Sequence, residues 1–284
     1  MTADATIAVG EAAWVGGRVR RLVEVTLFVG AWIAIGLLLR LNDGSRYLLV
    51  GVPLTVAFQL LVRRRPVREL WVREWPPFRL DARAVVIGAV LLALAYPAYL
   101  KLLSIGVVEG WLLALWMAAY VVGALAATYA LRNLHADGRA WLLAALAAGI
   151  GAAWMLTDLA SARGPLPAAA MLVAGLQEAA LAFGAGFVVE EVAFRGLVDA
   201  HVHRPGESRA WLSALFVSAL WGLWHVPVGL GMAPLAVLIP VVVIQHSAIG
   251  IPLSFAWRRS GNLVLPAAAH AVIDAVRDGL AAAL

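Results

Sequence analysis

Nine long apolar stretches, separated by shorter arginine-rich segments, divide the chain of 284 residues. They span 22–41, 47–62, 84–103, 111–131, 141–157, 168–191, 210–230, 234–253 and 263–283. An α-helix needs about 20 residues to cross the hydrocarbon layer of a membrane. Hydrophobic residues make up 63% of the chain and charged residues 14%, against about 45–50% and 25% in a soluble domain. The sequence therefore predicts an all-α, polytopic transmembrane helical bundle with about eight to nine transmembrane helices, and it excludes a water-soluble globule.

The arginine residues predict the orientation of this bundle. If the N-terminus is cytoplasmic, sixteen basic residues fall on the cytoplasmic side and five on the outer side. Cytoplasmic loops carry such an excess of Arg and Lys. We therefore expect an integral protein of the bacterial inner (plasma) membrane with a cytoplasmic N-terminus. This excess of arginine in cytoplasmic loops explains the net charge of +5, so the charge does not indicate nucleic-acid binding.

The longest polar segment, 63–83, contains seven arginines together with Trp71 and Trp75. Arginine binds phospholipid headgroups, and tryptophan is enriched at the membrane–water interface. This segment is expected to be a basic cytoplasmic loop lying at that interface, and the alternative is that it docks a substrate or a partner.

Ionisable side chains within the predicted helices are concentrated in the last third of the chain. A charge at membrane depth costs at least about 2.5–3.5 kcal/mol, so each of these groups needs a reason. They are Glu178, Glu190, Glu191, Arg195, His225, His246, His270 and Asp274.

Two of these groups are adjacent carboxylates. Glu191 and Arg195 are four residues apart and share a helical face, so they can pair. Glu190 is turned about 100° away from that face. Glu190 therefore has no charged partner four residues away on its own helix. A carboxylate without such a partner in apolar surroundings is suited to act as a general base or acid. The structural alternative is an ion-paired helix end whose carboxylates are solvated at the interface.

Two histidines follow in later helices. His225 precedes Pro227, which is expected to loosen the helix and free a backbone carbonyl. His270 and Asp274 share a face at the spacing with which a carboxylate orients an imidazole. At 1.5 Å per residue, Glu190 and both histidines lie within about two helical turns of one depth. Each histidine alone also fits a hydrogen-bonded core residue, but an interior cluster of acid and imidazoles points to function.

The available side chains limit the chemistry of such a cluster. The chain has no cysteine, which excludes a cysteine nucleophile and a thiolate metal site. It also lacks a His-Glu-x-x-His zinc helix, a Gly-x-Ser-Gly serine motif and a Gly-x-Gly-Asp aspartyl motif. What remains is a glutamate and two histidines acting on water.

Three motifs occur in an order that resembles the CPBP family of CAAX proteases and bacteriocin-processing proteins, also called the abortive-infection or type II CAAX endopeptidase family. They are Glu190-Glu191-Val-Ala-Phe-Arg195, Trp221-Gly-Leu-Trp-His225 and His270-Ala-Val-Ile-Asp274. The basic turn Trp257-Arg-Arg-Ser-Gly-Asn262 precedes the last of them. The resemblance covers about residues 170–280.

This resemblance implies a glutamate-type intramembrane endopeptidase. The candidate catalytic residues are Glu190, Glu191, Arg195, His225, His270 and Asp274. Glu190 would deprotonate water with the help of His225, and His270, with or without Asp274, would stabilise the oxyanion. The adjacent Glu–Arg pair would fix the helix and aim the base. No cofactor is expected, because the helical spacings give no self-sufficient metal motif, although two His and a Glu are compatible with zinc.

Two positions depart from the family pattern. Trp221 stands where the family usually has Phe, a mild change in a packed helix. Asp274 stands where Asn is common, and an ionised Asp cannot donate to an oxyanion. Asp274 is therefore expected to be protonated, to orient His270 or to bind a cation.

The predicted organisation has three parts. A cytoplasmic N-terminal segment, 1–21, precedes N-terminal transmembrane helices in 22–165, and a catalytic transmembrane core follows in 166–284. The expected partners are the lipid bilayer and a membrane protein or peptide substrate, cleaved near the cytoplasmic face.

Two other functions fit the buried charges. A proton-coupled secondary transporter also buries Glu, His and Asp, but inverted repeats with broken helices are not found in this sequence. A non-catalytic membrane immunity or partner protein could keep the same fold. Activity on a membrane peptide would separate the protease from both.

Overall fold

The computed structural model describes the backbone of residues 3–41, 44–160 and 168–281, and the side chains of 17–41, 44–157 and 169–281. Within these ranges the chain is helical and has no β-strand, only isolated bridges between Val72 and Asn262 and between Leu230 and Ala233. The prediction of an all-α membrane bundle is confirmed. The predicted boundary at 165–166 and the predicted span end at 283 lie outside the described residues.

The described part of the chain contains twelve α-helices, connected in part by π-helical and 3₁₀-helical turns. The α-helices are α1 (Ala3–Leu38), α2 (Gly44–Ala57), α3 (Ala82–Ala93), α4 (Ala95–Ser104), α5 (Gly110–Arg132), α6 (Gly138–Ala160), α7 (Ala168–Gly186), α8 (Ala200–Val202), α9 (Ala210–Trp224), α10 (Val226–Gly229), α11 (Leu235–Ser260) and α12 (Val264–Ala281). The other turns are π-helical at Phe58–Val62 and Val192–Asp199, and 3₁₀-helical at Val67–Leu70.

Seven helical segments of the described chain are long and apolar enough to cross a membrane. They are Gly17–Leu38, Gly44–Val62, Ala82–Ser104, Gly110–Arg132, Gly138–Thr157, Ala169–Gly186 and Leu235–Ser260. The predicted span 210–230 is divided at His225 into α9 and α10. The predicted span 263–283 corresponds to α12, which carries Asp274, Arg277 and Asp278.

One end of the bundle, here called the basic face, contains the segments 63–81, 133–137, 203–209 and 261–263. Ion pairs hold it together, with N···O distances of 2.6 Å for Arg132–Asp81 and 2.6 Å for Arg258–Asp199. The opposite face contains 39–41, 44–45, 105–109 and 225–234, with an ion pair between Arg46 and Glu109. Helices that alternate between two faces are what a membrane bundle requires.

The segment 63–83 does more than lie at the interface, which corrects part of the sequence prediction. Its 67–72 portion is inserted into the bundle, with Leu70 and Val72 buried. Trp71 Nε1 donates to the Phe187 carbonyl at 2.7 Å, and Arg63 Nη1 donates to the Gly196 carbonyl at 3.2 Å. These two hydrogen bonds tie the segment to backbone carbonyls at the end of α7 and in the wide turn that follows it.

Gly196 allows this insertion, and its substitution gives a first prediction. A Cβ at this position would lie 2.2 Å from the Leu70 carbonyl oxygen. Gly196→Ala is expected to cost about 1–3 kcal/mol, because the crowded atom belongs to the backbone. The measurement is the thermal unfolding midpoint in detergent. Gly149→Ala in α6 is the matched control, since nothing lies within 4 Å of its Cβ position. Equal midpoints for the two variants would contradict the packing.

Candidate active site

Three side chains, from two segments of the chain, converge on one oxygen atom of Glu190. Trp221 Nε1, on α9, donates to Glu190 Oε2 at 3.0 Å. Two ring nitrogens lie near the same oxygen, His225 Nε2 at 3.8 Å and His270 Nε2 at 4.0 Å. The structure thus brings together the carboxylate and both imidazoles that the sequence placed at similar depths.

His225 is positioned by the end of α9. Its Nδ1 donates to the Trp221 carbonyl at 2.9 Å, which leaves Nε2 for the side of Glu190. The helix ends at Trp224, and the carbonyl of that residue accepts a hydrogen bond from Tyr47 Oη at 2.9 Å. The break near Pro227 was expected from the sequence, whereas the capping by Tyr47 of α2 was not.

Glu191 is fully buried and divides its oxygens between two partners. Oε1 accepts from His270 Nδ1 at 2.9 Å, and Oε2 lies 3.6 Å from Arg195 Nε. Within the described residues, the guanidinium nitrogens of Arg195 have no hydrogen-bond acceptor. Its cation lies 4.5 Å from the centroid of the Trp221 ring, an attractive arrangement. The predicted ion pair between Glu191 and Arg195 is therefore present. The same carboxylate also accepts a hydrogen bond from His270.

Asp274 has a different set of contacts from the one expected. Its Oδ2 is 3.5 Å from His270 Nε2, and its Oδ1 is 2.8 Å from Arg277 Nη1. The shorter contact to His270 comes from Glu191. Orientation of the imidazole is therefore shared, with Glu191 on Nδ1 and Asp274 beside Nε2.

Comparison with known families gives one result. Residues 140–276 match the family described as type II CAAX prenyl endopeptidase Rce1-like. Neither curated proteins nor solved structures gave a significant match.

The match confirms the resemblance to CAAX proteases and supports an intramembrane endopeptidase as the activity. It begins in α6, earlier than the limit near residue 170 that the motifs had suggested. All six candidate catalytic residues fall inside the Rce1-like segment.

A cavity of about 390 Å³ extends from this cluster. Its lining includes Glu190 and His270 together with Gly44, Ser45 and Ile105. A space of this size can admit water and part of a polypeptide.

His246 lies beside the candidate site, although the sequence motifs did not select it. Its ring centroid lies 3.9 Å from that of His225 and 4.7 Å from that of Trp221. Its Nδ1 donates to the Val242 carbonyl at 2.7 Å. The only signal in the sequence was that it is an ionisable residue within a predicted span.

A network of charges lines the outer part of the cavity and was also missed. Lys101, one of the five basic residues counted on the outer side from the sequence, is buried in the last turn of α4. It is paired with Asp278, and its Nζ lies 3.4 Å from Glu178 Oε2. Arg277 adds contacts to Glu178 and Asp278 on the same side.

The described residues contain no group of three or more His, Asp or Glu side chains arranged to hold a metal ion. Glu190 and the nearest imidazoles are separated by 3.8–4.0 Å. Of these side chains, Glu190 and His270 line the cavity.

Substitution of His246 tests whether its ring positions His225. His246→Ala is expected to lower kcat by about tenfold, because the His225 ring loses its packing partner, with KM nearly unchanged. His246→Phe should restore most of the activity, since it keeps a flat ring without nitrogen atoms. The measurement is steady-state cleavage in detergent. Equal losses in both variants would show that a ring nitrogen of His246 is required and that packing is not its role.

Proposed function

We propose that the chain is a glutamate-type intramembrane endopeptidase that cleaves a membrane protein or peptide, with Glu190 activating the water. The observation that carries the proposal is the convergence of Trp221, His225 and His270 on Glu190 Oε2, with Glu190 and His270 lining a cavity. The Rce1-like match supports the same class of activity.

The geometry suggests how water would be held. With its Nδ1 hydrogen bonded to a carbonyl, neutral His225 presents Nε2 as an acceptor. A water between His225 and Glu190 would donate one hydrogen to each. Glu190 takes a proton as the water oxygen adds to the scissile carbonyl carbon.

His270 is placed to stabilise the oxyanion that forms in this step. With a proton on each nitrogen, its ring donates through Nδ1 to Glu191 and retains Nε2–H for the oxyanion. Glu190 then passes its proton to the amide nitrogen as the C–N bond breaks. The products are a carboxylic acid, which keeps the second proton of the water until it ionises, and an amine, and Glu190 is regenerated as a carboxylate.

The remaining candidate residues act through these groups. Glu191 fixes the His270 ring, Arg195 balances the charge of Glu191, and Asp274 joins His270 to Arg277. In this proposal the residues 166–284 form the catalytic core, in an inner membrane with the N-terminus cytoplasmic. Water activation is assigned to Glu190, with no metal cofactor.

The test compares membrane proteins from cells that express the wild-type chain with those from cells that express Glu190→Ala. New protein N-termini or C-termini that occur only with the wild-type chain would support the protease and identify its substrates. Identical termini in both samples would contradict it and favour the transporter or the immunity protein.

A further inference from the structure

Charged side chains of α12 lie in a row along the cavity of about 390 Å³, here called the catalytic cavity. His270, Asp274 and Asp278 are spaced by four residues, so they share one face of the helix. Arg277 follows Asp274 by three residues, and all four side chains line the cavity. The site is therefore continuous with a cation that has no role of its own in the mechanism above.

Arg277 is the cation that holds Asp274. Its Nη1 lies 2.8 Å from Asp274 Oδ1, and its Nε donates to Asp278 Oδ1 at 2.7 Å. Its Nη2 lies 3.7 Å from Glu178 Oε1 on α7. A guanidinium group is planar and presents its donors in fixed directions. Contacts on three nitrogens therefore fix its position, and with it the carboxylate of Asp274.

The three acids around Arg277 differ in their other partners. Lys101 is paired with Asp278, and its Nζ lies 3.4 Å from Glu178 Oε2. Within the described residues, the cation paired with Asp274 besides His270 is Arg277. Loss of Arg277 would therefore leave Lys101 with two of the acids and would leave Asp274 with His270.

The Nε2 atom of His270 lies near two carboxylates and is hydrogen bonded to neither. Its distances are 3.5 Å to Asp274 Oδ2 and 4.0 Å to Glu190 Oε2, whereas an N–H···O hydrogen bond spans about 2.7–3.2 Å. The other ring nitrogen, Nδ1, donates to Glu191 at 2.9 Å. Nε2 is thus the nitrogen that remains for a bound group.

Asp274 is a potential competitor for that nitrogen. A shift of less than about 1 Å would bring its Oδ2 within hydrogen-bond distance of His270 Nε2. A hydrogen bond between an imidazolium and a carboxylate is charge-assisted and strong. It would use the same N–H group that the oxyanion needs. The ion pair with Arg277 opposes this shift, because it holds Asp274 through the other oxygen.

We propose that Arg277 is a positioning residue of the endopeptidase, which keeps the Nε2–H group of His270 free for the oxyanion by holding Asp274 through Oδ1. This inference rests on the proposed endopeptidase function and adds to it a residue that acts through Asp274.

The proton on His270 Nε2 tests this role without a substrate. In wild-type protein labelled with ¹⁵N-histidine and held in detergent, this proton should exchange rapidly with water, because no carboxylate binds it. In Arg277→Met it should become strongly deshielded and slow to exchange, since Asp274 then accepts it in a charge-assisted hydrogen bond. Adding Asp274→Asn to Arg277→Met should abolish that signal. Its loss in His270→Gln assigns the resonance.

Steady-state cleavage tests the consequence for turnover. Arg277→Met is expected to lower kcat on the order of 10²-fold, the scale for one oxyanion donor, with KM nearly unchanged. Adding Asp274→Asn should recover at least about tenfold, because it removes the competing anion and its amide can donate. Adding Asp278→Asn is the matched control. It removes the same charge from the same cluster, but Asp278 is paired with Arg277 and Lys101, so the loss should remain.

Four results would overturn the role of Arg277. They are a slowly exchanging His270 Nε2 proton already in the wild-type protein, a wild-type spectrum in Arg277→Met, an unchanged kcat in Arg277→Met, and equal recovery of kcat by Asp278→Asn. The first requires no substitution of Arg277, so the test holds even if Arg277→Met does not fold.

Failure of the endopeptidase proposal has a different signature. The wild-type chain and Glu190→Gln would then both lack cleavage. The proton spectra would still report whether Arg277 holds Asp274 away from His270.

Discussion

Replacing Glu190 with glutamine is expected to lower turnover by about 10²–10⁴-fold while the protein remains folded, because this is the contribution of a positioned general base. The amide has nearly the shape of the carboxylate, and its oxygen can still accept from Trp221 Nε1. It cannot take a proton from water. The measurement is kcat/KM for a substrate identified by the membrane comparison, with the unfolding midpoint measured on the same preparation.

Glu24→Gln is the control for this substitution. Glu24 is a partly buried carboxylate in α1 that contacts Arg20 and His201 at the basic face. It neither lines the catalytic cavity nor contacts Glu190. Glu24→Gln should keep wild-type turnover. Near-normal turnover in Glu190→Gln would show that another group activates the water.

Hydropathy was sufficient to predict the helical membrane bundle, because each predicted span satisfies the hydrogen bonds of its own backbone. Helix boundaries were harder to predict from the sequence. The break at Gly186 and the π-helical turn Val192–Asp199 depend on contacts with the distant residues Leu70 and Trp71. No local pattern in the sequence encodes those contacts.

Residues of the candidate site could be predicted where a single polar side chain stands out in an apolar helical segment. Glu190, His225 and His270 are polar residues in apolar surroundings, and helical rise alone placed them at similar depths. Their partners could not be found in this way. His246 and Lys101 enter through the packing of α11 and α4, which is a tertiary property. Glu191 was assigned to Arg195 by helical spacing, but its contact with His270 crosses to another helix.

Glu191→Gln is expected to destabilise the protein by about 3–5 kcal/mol, since breaking a buried ion pair leaves an uncompensated charge. Arg195 is fully buried, and its closest carboxylate oxygen belongs to Glu191. Within the described residues no hydrogen bond satisfies its guanidinium group, so the neutral amide would leave the cation unbalanced. The measurement is the free energy of unfolding in detergent. An unchanged value would show that the charge of Arg195 is balanced elsewhere.

Removing the cation separates the structural role of Glu191 from its role in positioning His270. In an Arg195→Met background, Glu191→Gln should cost little further stability, because no buried cation remains unpaired, and this defines a double-mutant cycle. Its amide oxygen can still accept from His270 Nδ1, so turnover should match that of Arg195→Met alone. Glu191→Leu in the same background removes the acceptor and should lower turnover on the order of 10²-fold, the scale for one oxyanion donor. Equal turnover of the Gln and Leu variants would show that the hydrogen bond to His270 does not position the oxyanion donor. An equal loss of stability from Glu191→Gln with and without Arg195 would show that the ion pair is not the source of the destabilisation.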